Sequence, residues 1–146
     1  MKPGVASASY EFETPVTPEM AATLDGRLLH PVYSTFWMAY HAEVAARLAI
    51  EPYFEDGENA VGGVVEVRHE AMAAVGDTVR ISARVVEVKG RKIVCEIEVH
   101  SRSRRIGTGR QVQISIEDTE IKRLVAEALN LLFVKYNFPV VREGGE

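Results

Sequence analysis

The sequence has little cysteine and no long apolar run, and each absence excludes a class of protein. Cys95 is the one cysteine in 146 residues, so an internal disulfide and a cysteine-based metal cluster are both excluded. No stretch approaches the roughly 18 apolar residues of a transmembrane helix, and the N-terminal segment MKPGVASASYEFETPV lacks the apolar core of a signal peptide. We therefore expect a protein of the reducing cytoplasm with no membrane partner.

Length and composition are those of an ordinary globular protein. The chain is 47% hydrophobic and 26% charged, which argues against an intrinsically disordered protein. Domains typically contain about 100–150 residues. We therefore predict a single domain over residues 1–146.

The distribution of charge is uneven, although the net charge is only −4. Between Arg80 and Arg110 the chain carries nine basic residues and three acidic ones. Such a basic span can attract phosphates, either of nucleic acid or of a nucleotide-bearing cofactor. The alternative is that these side chains are simply the solvated faces of strands.

The first 50 residues predict a strand and two helices. Residues 8–15 alternate weakly and indicate a strand. Thr17 and Pro18 have the residue types of an N-cap and a first helical position, which predicts a short helix through Leu24, ended by Asp25-Gly26. The run STFWMAYHAEVAARLAI at 34–50 then predicts a long helix, stopped by Pro52. Because its apolar residues cover nearly every face, we expect this helix to be buried.

From residue 63 onward the apolar pattern changes to period two, which is typical of strands with one buried face. Four such segments follow (63–71, 79–85, 92–100 and 106–116), separated by the turn signals Gly76-Asp77 and Lys89-Gly90-Arg91. An amphipathic C-terminal helix comes last. The order predicts an α+β protein of the hotdog type: an antiparallel sheet wrapped around a long central helix, with an added C-terminal helix.

Three side chains able to do chemistry occur where burial is expected. Glu43 is the one acid in the long helix, and Thr35 lies at its start, eight residues earlier and so on much the same face. His69 shares the apolar parity of its strand. Each has a structural alternative: Thr35 or Ser34 as the helix N-cap, a Glu43–Arg47 ion pair, and a hydrogen-bonded core histidine.

Other motifs for catalysis and binding are missing from the sequence. There is no HExxH metal motif, no P-loop, and no Asp-then-His arrangement of a hotdog hydratase. The glycines at 107 and 109 lie within a strand pattern, so they do not form a dinucleotide fingerprint. His30, His41 and His100 lack the spacing of a metal site, and Cys95 has the parity of a buried, inert thiol. We expect neither a metal nor a cofactor.

A family resemblance covers residues 14–116. The stretch HPVYSTFWMAYHAEVAARLAIEPYFEDGENAVGGVVEVRHEAMAAVGDTVRISARVVEVKGRKI resembles the fluoroacetyl-CoA-thioesterase-like branch of the hotdog thioesterases. Its most specific element is a Thr, a Glu eight residues later and a His 26 residues beyond that, matched by Thr35, Glu43 and His69. One departure is Leu28-Leu29-His30-Pro31, where the fluoroacetyl-specific members have lid phenylalanines, so a fluoroacetyl substrate is not implied.

The resemblance implies a hydrolase that cleaves a small acyl-CoA to free acid and CoA, with coenzyme A as part of the substrate. It implies catalytic roles for Thr35, Glu43 and His69. His69 is the best candidate general base, because the intrinsic pKa of a histidine lies near neutral pH, but Glu43 could either orient His69 or activate the water itself, and Thr35 could be a nucleophile or only position the substrate. The substrate would run between the protomers of a homodimer, or of a dimer of such dimers. Substrate-binding residues are then expected in the glycine segment and the basic span: Gly62, Gly63, Arg91, Lys92, Arg102, Arg104 and Arg105.

Two other functions remain open at the level of sequence. The same fold could be a non-catalytic module that binds or senses acyl-CoA. The basic span could instead serve a nucleic-acid-associated protein, which is the less favoured of the two, and we expect no nucleic-acid partner.

Overall fold

A computed structural model of the chain describes residues 1–137 and residue 139. The predicted domain boundary at residue 146 lies outside the described residues. The described part contains seven strands and two α-helices. The strands are β1 (Ser9–Pro15), β2 (Ala21–Leu24), β3 (Arg27–Tyr33), β4 (Glu58–His69), β5 (Thr78–Lys89), β6 (Lys92–Ser101) and β7 (Arg104–Glu117), and the helices are α1 (Thr35–Ile50) and α2 (Asp118–Tyr136).

Five of the strands form one antiparallel sheet that curls around α1. Their order is β1-β5-β6-β7-β4, with β1 and β4 at the two edges. The predicted parity of β5 and β6 is confirmed, since alternate residues of both strands are buried against the helix. Cys95 is fully buried, as predicted, and burial raises the pKa of its thiol to about 11.

The predicted short helix over 18–24 is wrong. Only Pro18–Met20 forms a 3₁₀ turn, and the Thr17 side chain does not cap it. The chain then makes a hairpin of β2 and β3. Asp25 and Gly26 have φ angles of 50° and 70°, which is the left-handed backbone of a tight hairpin turn and fits an Asp-Gly pair. This dipeptide was the signal for a hairpin.

Helix α1 is present as predicted, but it is not buried on every side. Its small residues pack into the sheet: Ala42, Ala45, Ala46 and Ala49 are almost entirely inaccessible. The opposite face is open, with Phe36 73% exposed and Tyr40 53% exposed. The apolar residues on that face are therefore available for contact with something outside the protomer.

Helix α2 extends the fold with its apolar face uncovered. None of its described side chains is buried, and Leu131 and Val134 are among the most exposed apolar residues. Its first turn is anchored to the body by Asp118, which accepts a hydrogen bond from Asn59 at 3.0 Å. Neither described helix is long and apolar enough to cross a membrane.

Candidate active site

Thr35 and His69, which are 34 residues apart, are in direct contact. Thr35 is the first residue of α1 and His69 is the last residue of β4. The Thr35 hydroxyl and His69 Nδ1 are 3.0 Å apart, a hydrogen-bond distance. Helix α1 packs against β4. Arg47, near the end of the helix, bonds the Ala60 carbonyl near the start of the strand, so the two elements run antiparallel and the start of the helix lies at the end of the strand. The structure therefore joins two of the three predicted catalytic residues.

The N-terminus of α1 presents free backbone donors beside this pair. Ser34, not Thr35, is the N-cap, because its hydroxyl accepts the Trp37 N–H at 3.2 Å. The Met38 N–H is bonded to the Ser34 carbonyl. Within the described part of the chain, the N–H groups of Thr35 and Phe36 have no acceptor. They also lie at the positive end of the helix macrodipole, so the site is suited to an anionic oxygen.

A groove of about 350 Å³ opens at the Thr35–His69 pair, and we call it the Thr35 groove. Hairpin β2–β3 contributes His30 and Val32 to one wall, and the segment after β4 contributes Met72 to the other. The groove is therefore large enough for the reacting end of a small acyl group.

His69 is held in its neutral form by its surroundings. Burial lowers the pKa of the imidazole, and the nearby backbone of Ala71 opposes this only in part. Nε2 is buried with no hydrogen-bond partner among the described residues. A neutral imidazole can accept a proton from the Thr35 hydroxyl through Nδ1.

A second pair, Tyr33 and His41, is buried next to His69. Tyr33 is completely buried, and its hydroxyl lies 2.8 Å from His41 Nδ1. The edge of the Tyr33 ring packs against His69, with the ring centroids 6.2 Å apart. Burial raises the pKa of Tyr33 and lowers that of His41, so both are neutral near pH 7. Tyr33, which His41 contacts through the hydroxyl, therefore packs against the His69 ring.

Glu43 lies elsewhere on α1, in a groove of about 430 Å³ that we call the Glu43 groove. Its side chain forms no hydrogen bond or ion pair with the described residues. The alternative of a Glu43–Arg47 ion pair is wrong, because Arg47 bonds the Asn59 side chain at 2.8 Å and pairs with Glu51 at 3.6 Å.

The single protomer does not bring Glu43 to the Thr35–His69 pair. Eight residues of α-helix separate Thr35 from Glu43, which is about 12 Å along the axis. Glu43 lies beside Gly62, near the start of β4, whereas His69 ends that strand. The three predicted residues therefore form a pair and a separate carboxylate.

The predicted basic residues are also divided between two ends of the sheet. Arg104 donates to the carbonyl of Met72 at 2.9 Å and Arg105 pairs with Glu70 at 3.2 Å, so both are beside the Thr35 groove. Arg102 pairs with Asp77 at 2.6 Å in the loop after β6, at the same end. Lys92 starts β6 at the opposite end and Arg91 lies in the turn before it, where they pair with Glu87 and Glu120 respectively.

The described residues contain no group of three or more His, Cys, Asp or Glu side chains that could hold a metal ion.

Comparison with known proteins identifies the family. Residues 16–119 match the family described as fluoroacetyl-CoA-specific thioesterase, FlK. This chain belongs to that family. A curated relative, the fluoroacetyl-CoA thioesterase of Streptantibioticus cattleyicolor, is 33% identical over 78 residues. That match covers 53% of this chain and only 56% of the relative.

Solved structures similar to this FlK-family chain agree on the fold. A hypothetical protein from Thermus thermophilus, described as a thioesterase superfamily member, is 34% identical with a TM-score of 0.86, and the match covers 92% of this chain and 99% of that one. A hot-dog-like protein from Thermanaerovibrio acidaminovorans is 20% identical with a TM-score of 0.79, over 87% and 93% of the two chains. The predicted hotdog fold is confirmed.

Gly62 leaves the room that the Glu43 carboxylate occupies in this FlK-family chain. A Cβ on Gly62 would overlap Glu43 Oε1, so Gly62→Ala must push the carboxylate aside, at little cost in stability because the end of a side chain can move. If Glu43 takes part in the reaction, kcat should fall about 10- to 100-fold, as for a misplaced reacting group. At Gly63 a Cβ would meet Ile114 at an ordinary 3.4 Å. Gly63→Ala should therefore cost far less, and equal rates for the two variants would contradict this role of Gly62.

Proposed function

We propose that this protein hydrolyses the thioester of a small acyl-CoA to the free acid and CoA. The observation that carries the proposal is the hydrogen bond between Thr35 Oγ1 and His69 Nδ1 at the free N-terminus of α1. It combines a nucleophile, a base and oxyanion donors at one point, which is the minimum for acyl transfer.

In the first step the Thr35 hydroxyl attacks the thioester carbonyl carbon while its proton moves to His69 Nδ1. The carbonyl electron pair moves onto oxygen, and the N–H groups of Thr35 and Phe36 stabilise the resulting oxyanion. Each such donor typically contributes about 3–4 kcal/mol to the transition state. When the tetrahedral intermediate collapses, the carbon–sulfur bond breaks and CoA leaves as a thiol with the proton from His69. Thr35 is left as an ester.

In the second step a water molecule hydrolyses the Thr35 ester. Glu43 is the candidate base, because it is a carboxylate that forms no hydrogen bond or ion pair within the described chain. Glu43 takes one proton from the water as its oxygen attacks the ester carbon. The bond to Thr35 Oγ1 then breaks, the acid leaves, and that proton returns to the Thr35 oxygen. An alternative is a single step in which Thr35 only positions the substrate.

We propose that the working form is a homodimer in which Glu43 reaches the Thr35 of a second copy. Three observations support it: the roughly 12 Å of helix between Thr35 and Glu43, the exposed Phe36 and Tyr40 on the open face of α1, and the unpaired outer edge of β4. Closed symmetry would create two identical sites. A dimer of such dimers and a cytoplasmic location remain predictions.

Release of free thiol tests the proposal directly. Purified protein is mixed with short, branched, aromatic and long acyl-CoA esters, and the thiol is measured with a thiol-reactive dye. We expect turnover of the small esters, in keeping with the size of the Thr35 groove. An acyl-CoA binding module, the second candidate, would protect the esters without turnover. A mass measurement that showed only the 16.2 kDa protomer with full activity would rule out the shared site.

The basic residues beside the Thr35 groove give a prediction about the CoA phosphates. We expect Arg104→Ala with Arg105→Ala to raise KM about tenfold and leave kcat within about threefold, because these residues contact a part of the substrate that does not react. The rise should shrink at high salt. Arg123→Ala on α2 is the control. A rise in KM only for Arg91→Ala with Lys92→Ala would assign the phosphates to the other end of the sheet.

A further inference from the structure

Gln111 is a polar side chain at a position that the fold would ordinarily fill with an apolar one. It lies in the middle of β7, opposite Val65 of β4 and Cys95 of β6. Gln111 is fully buried, and neither its amide nitrogen nor its amide oxygen has a hydrogen-bond partner within the described chain. Such a buried, unpaired amide lowers stability, and native proteins keep such groups mainly where function requires them.

The Gln111 amide lies near the Glu43 carboxylate. Gln111 Nε2 is 3.6 Å from the position of a Cβ on Gly62, and the Glu43 carboxylate overlaps that same position. The amide nitrogen and the carboxylate therefore both lie within 4 Å of one point. Gln113, two residues further on the same face of β7, lines the Glu43 groove.

We propose that Gln111 is a positioning residue that holds the hydrolytic water on Glu43. A bound water needs two to four polar partners; the Gln111 amide offers a donor and an acceptor, and the carboxylate offers an acceptor. The water would donate a hydrogen bond to the Glu43 carboxylate and accept one from the Gln111 N–H. A lone pair of the water oxygen would then be free to attack the ester carbon. This inference rests on the proposed thioesterase function and refines its second step.

The proposed role gives Gln111→Leu a distinctive kinetic result. Only hydrolysis of the Thr35 ester needs the positioned water, so kcat should fall at least about tenfold. Formation of the ester is unaffected, so kcat/KM stays within about twofold and KM falls with kcat. Rapid mixing should show a burst of about one thiol per site, and intact-mass measurement should show the acyl group on the protein. The melting temperature should be equal or higher, since the unpaired amide is gone.

Two further variants keep this test decisive. Gln111→Met, which has a similar length, replaces Gln111→Leu if the latter does not fold. Cys95→Ala disturbs the packing opposite Gln111 without touching the amide, so it should lower the melting temperature and leave kcat unchanged.

Each remaining result overturns the inference. An unchanged kcat in Gln111→Leu and Gln111→Met makes the glutamine purely structural, and a fall in kcat/KM makes it a contact to the substrate. If the wild-type protein releases no thiol from any ester, the proposed function itself fails. If the wild type turns over and Gln111→Leu matches it, only the role of Gln111 is lost.

Discussion

The variant His69→Ala is expected to lower both kcat and kcat/KM at least about 100-fold, the low end for removal of a general base. His69 accepts the proton of Thr35 at a hydrogen bond of 3.0 Å, so the step that forms the ester is the one that slows. No burst of thiol should be visible. The protein should remain folded, because His69 is only half-buried and its Nε2 has no partner within the described chain to leave unpaired.

The control for this variant is His100→Ala. His100 is on β6, and the proposed mechanism gives it no part, so its loss should leave kcat within about twofold of the wild type. Melting temperature and single-turnover rate are measured for both variants. Full activity in folded His69→Ala would end the hypothesis of a Thr35–His69 pair.

The direction in which the pH profile of kcat/KM is shifted can be predicted. Burial lowers the pKa of His69, so the neutral base persists into more acidic solution than an ordinary histidine, which titrates near about 6.5. The acid limb of kcat/KM should therefore lie below that value.

The stability of the fold should depend on pH as well, because burial also lowers the pKa of His41. The unfolded chain therefore binds more protons than the folded one in this pH range. The contribution of the two neutral histidines to the free energy of unfolding is fully present above about pH 6.5, and it declines as the pH falls toward the lowered pKa values.

The variant Glu43→Gln is the second change with a large expected effect. It keeps the volume of the side chain but removes the base, so kcat should fall at least about 100-fold. Because ester formation does not use Glu43, kcat/KM should change far less, and the acyl group should accumulate on Thr35. Burst kinetics and intact mass measure both effects. A loss of kcat/KM as large as the loss of kcat would instead place Glu43 in the first step.

Mixing the two inactive variants tests whether the site is shared between copies. When His69→Ala and Glu43→Gln chains are co-expressed, about half of the dimers hold one of each. If Glu43 serves the Thr35 of the other copy, one site in each mixed dimer carries both changes and one carries neither, so about a quarter of the wild-type kcat returns. If all three residues belong to one copy, every site carries a change and no activity returns.

The sequence pattern predicted the main sheet and the long helix because their burial repeats regularly. Alternate apolar residues of β5 and β6 face α1, so parity alone indicates both the strands and the buried face. Thr35 and His69 could be singled out because each is a reactive side chain at an unusual position in such a pattern. Their 3.0 Å contact depends on tertiary packing, which parity does not contain.

Other parts of the structure could not be predicted from the apolar pattern, for physical reasons. The hairpin at Asp25-Gly26 depends on a turn type, while Thr17-Pro18 gave a stronger local signal for a helix. The open face of α1 was missed because hydropathy alone does not distinguish an aromatic residue covered by the sheet from one exposed on the protomer. Gln111 gave no signal, because it alternates with the apolar Val112 and Ile114 and so has the polar parity of its strand, yet the fold buries it.

The exposed edge of strand β4 also affects how readily the newly synthesised protein aggregates. It presents twelve residues at the edge of the sheet, without proline, and Val61 and Val64 are each 43% exposed. An edge of this length, unpaired on its outer side within the described chain, can act as a template for intermolecular strand addition, although its charged Glu66 and Arg68 and its irregularity at Gly62 oppose this. A newly folded protomer therefore faces competition between ordered pairing and aggregation, and refolding yield should fall at high protein concentration. A lysine introduced at Val64 would act as a gatekeeper against aggregation.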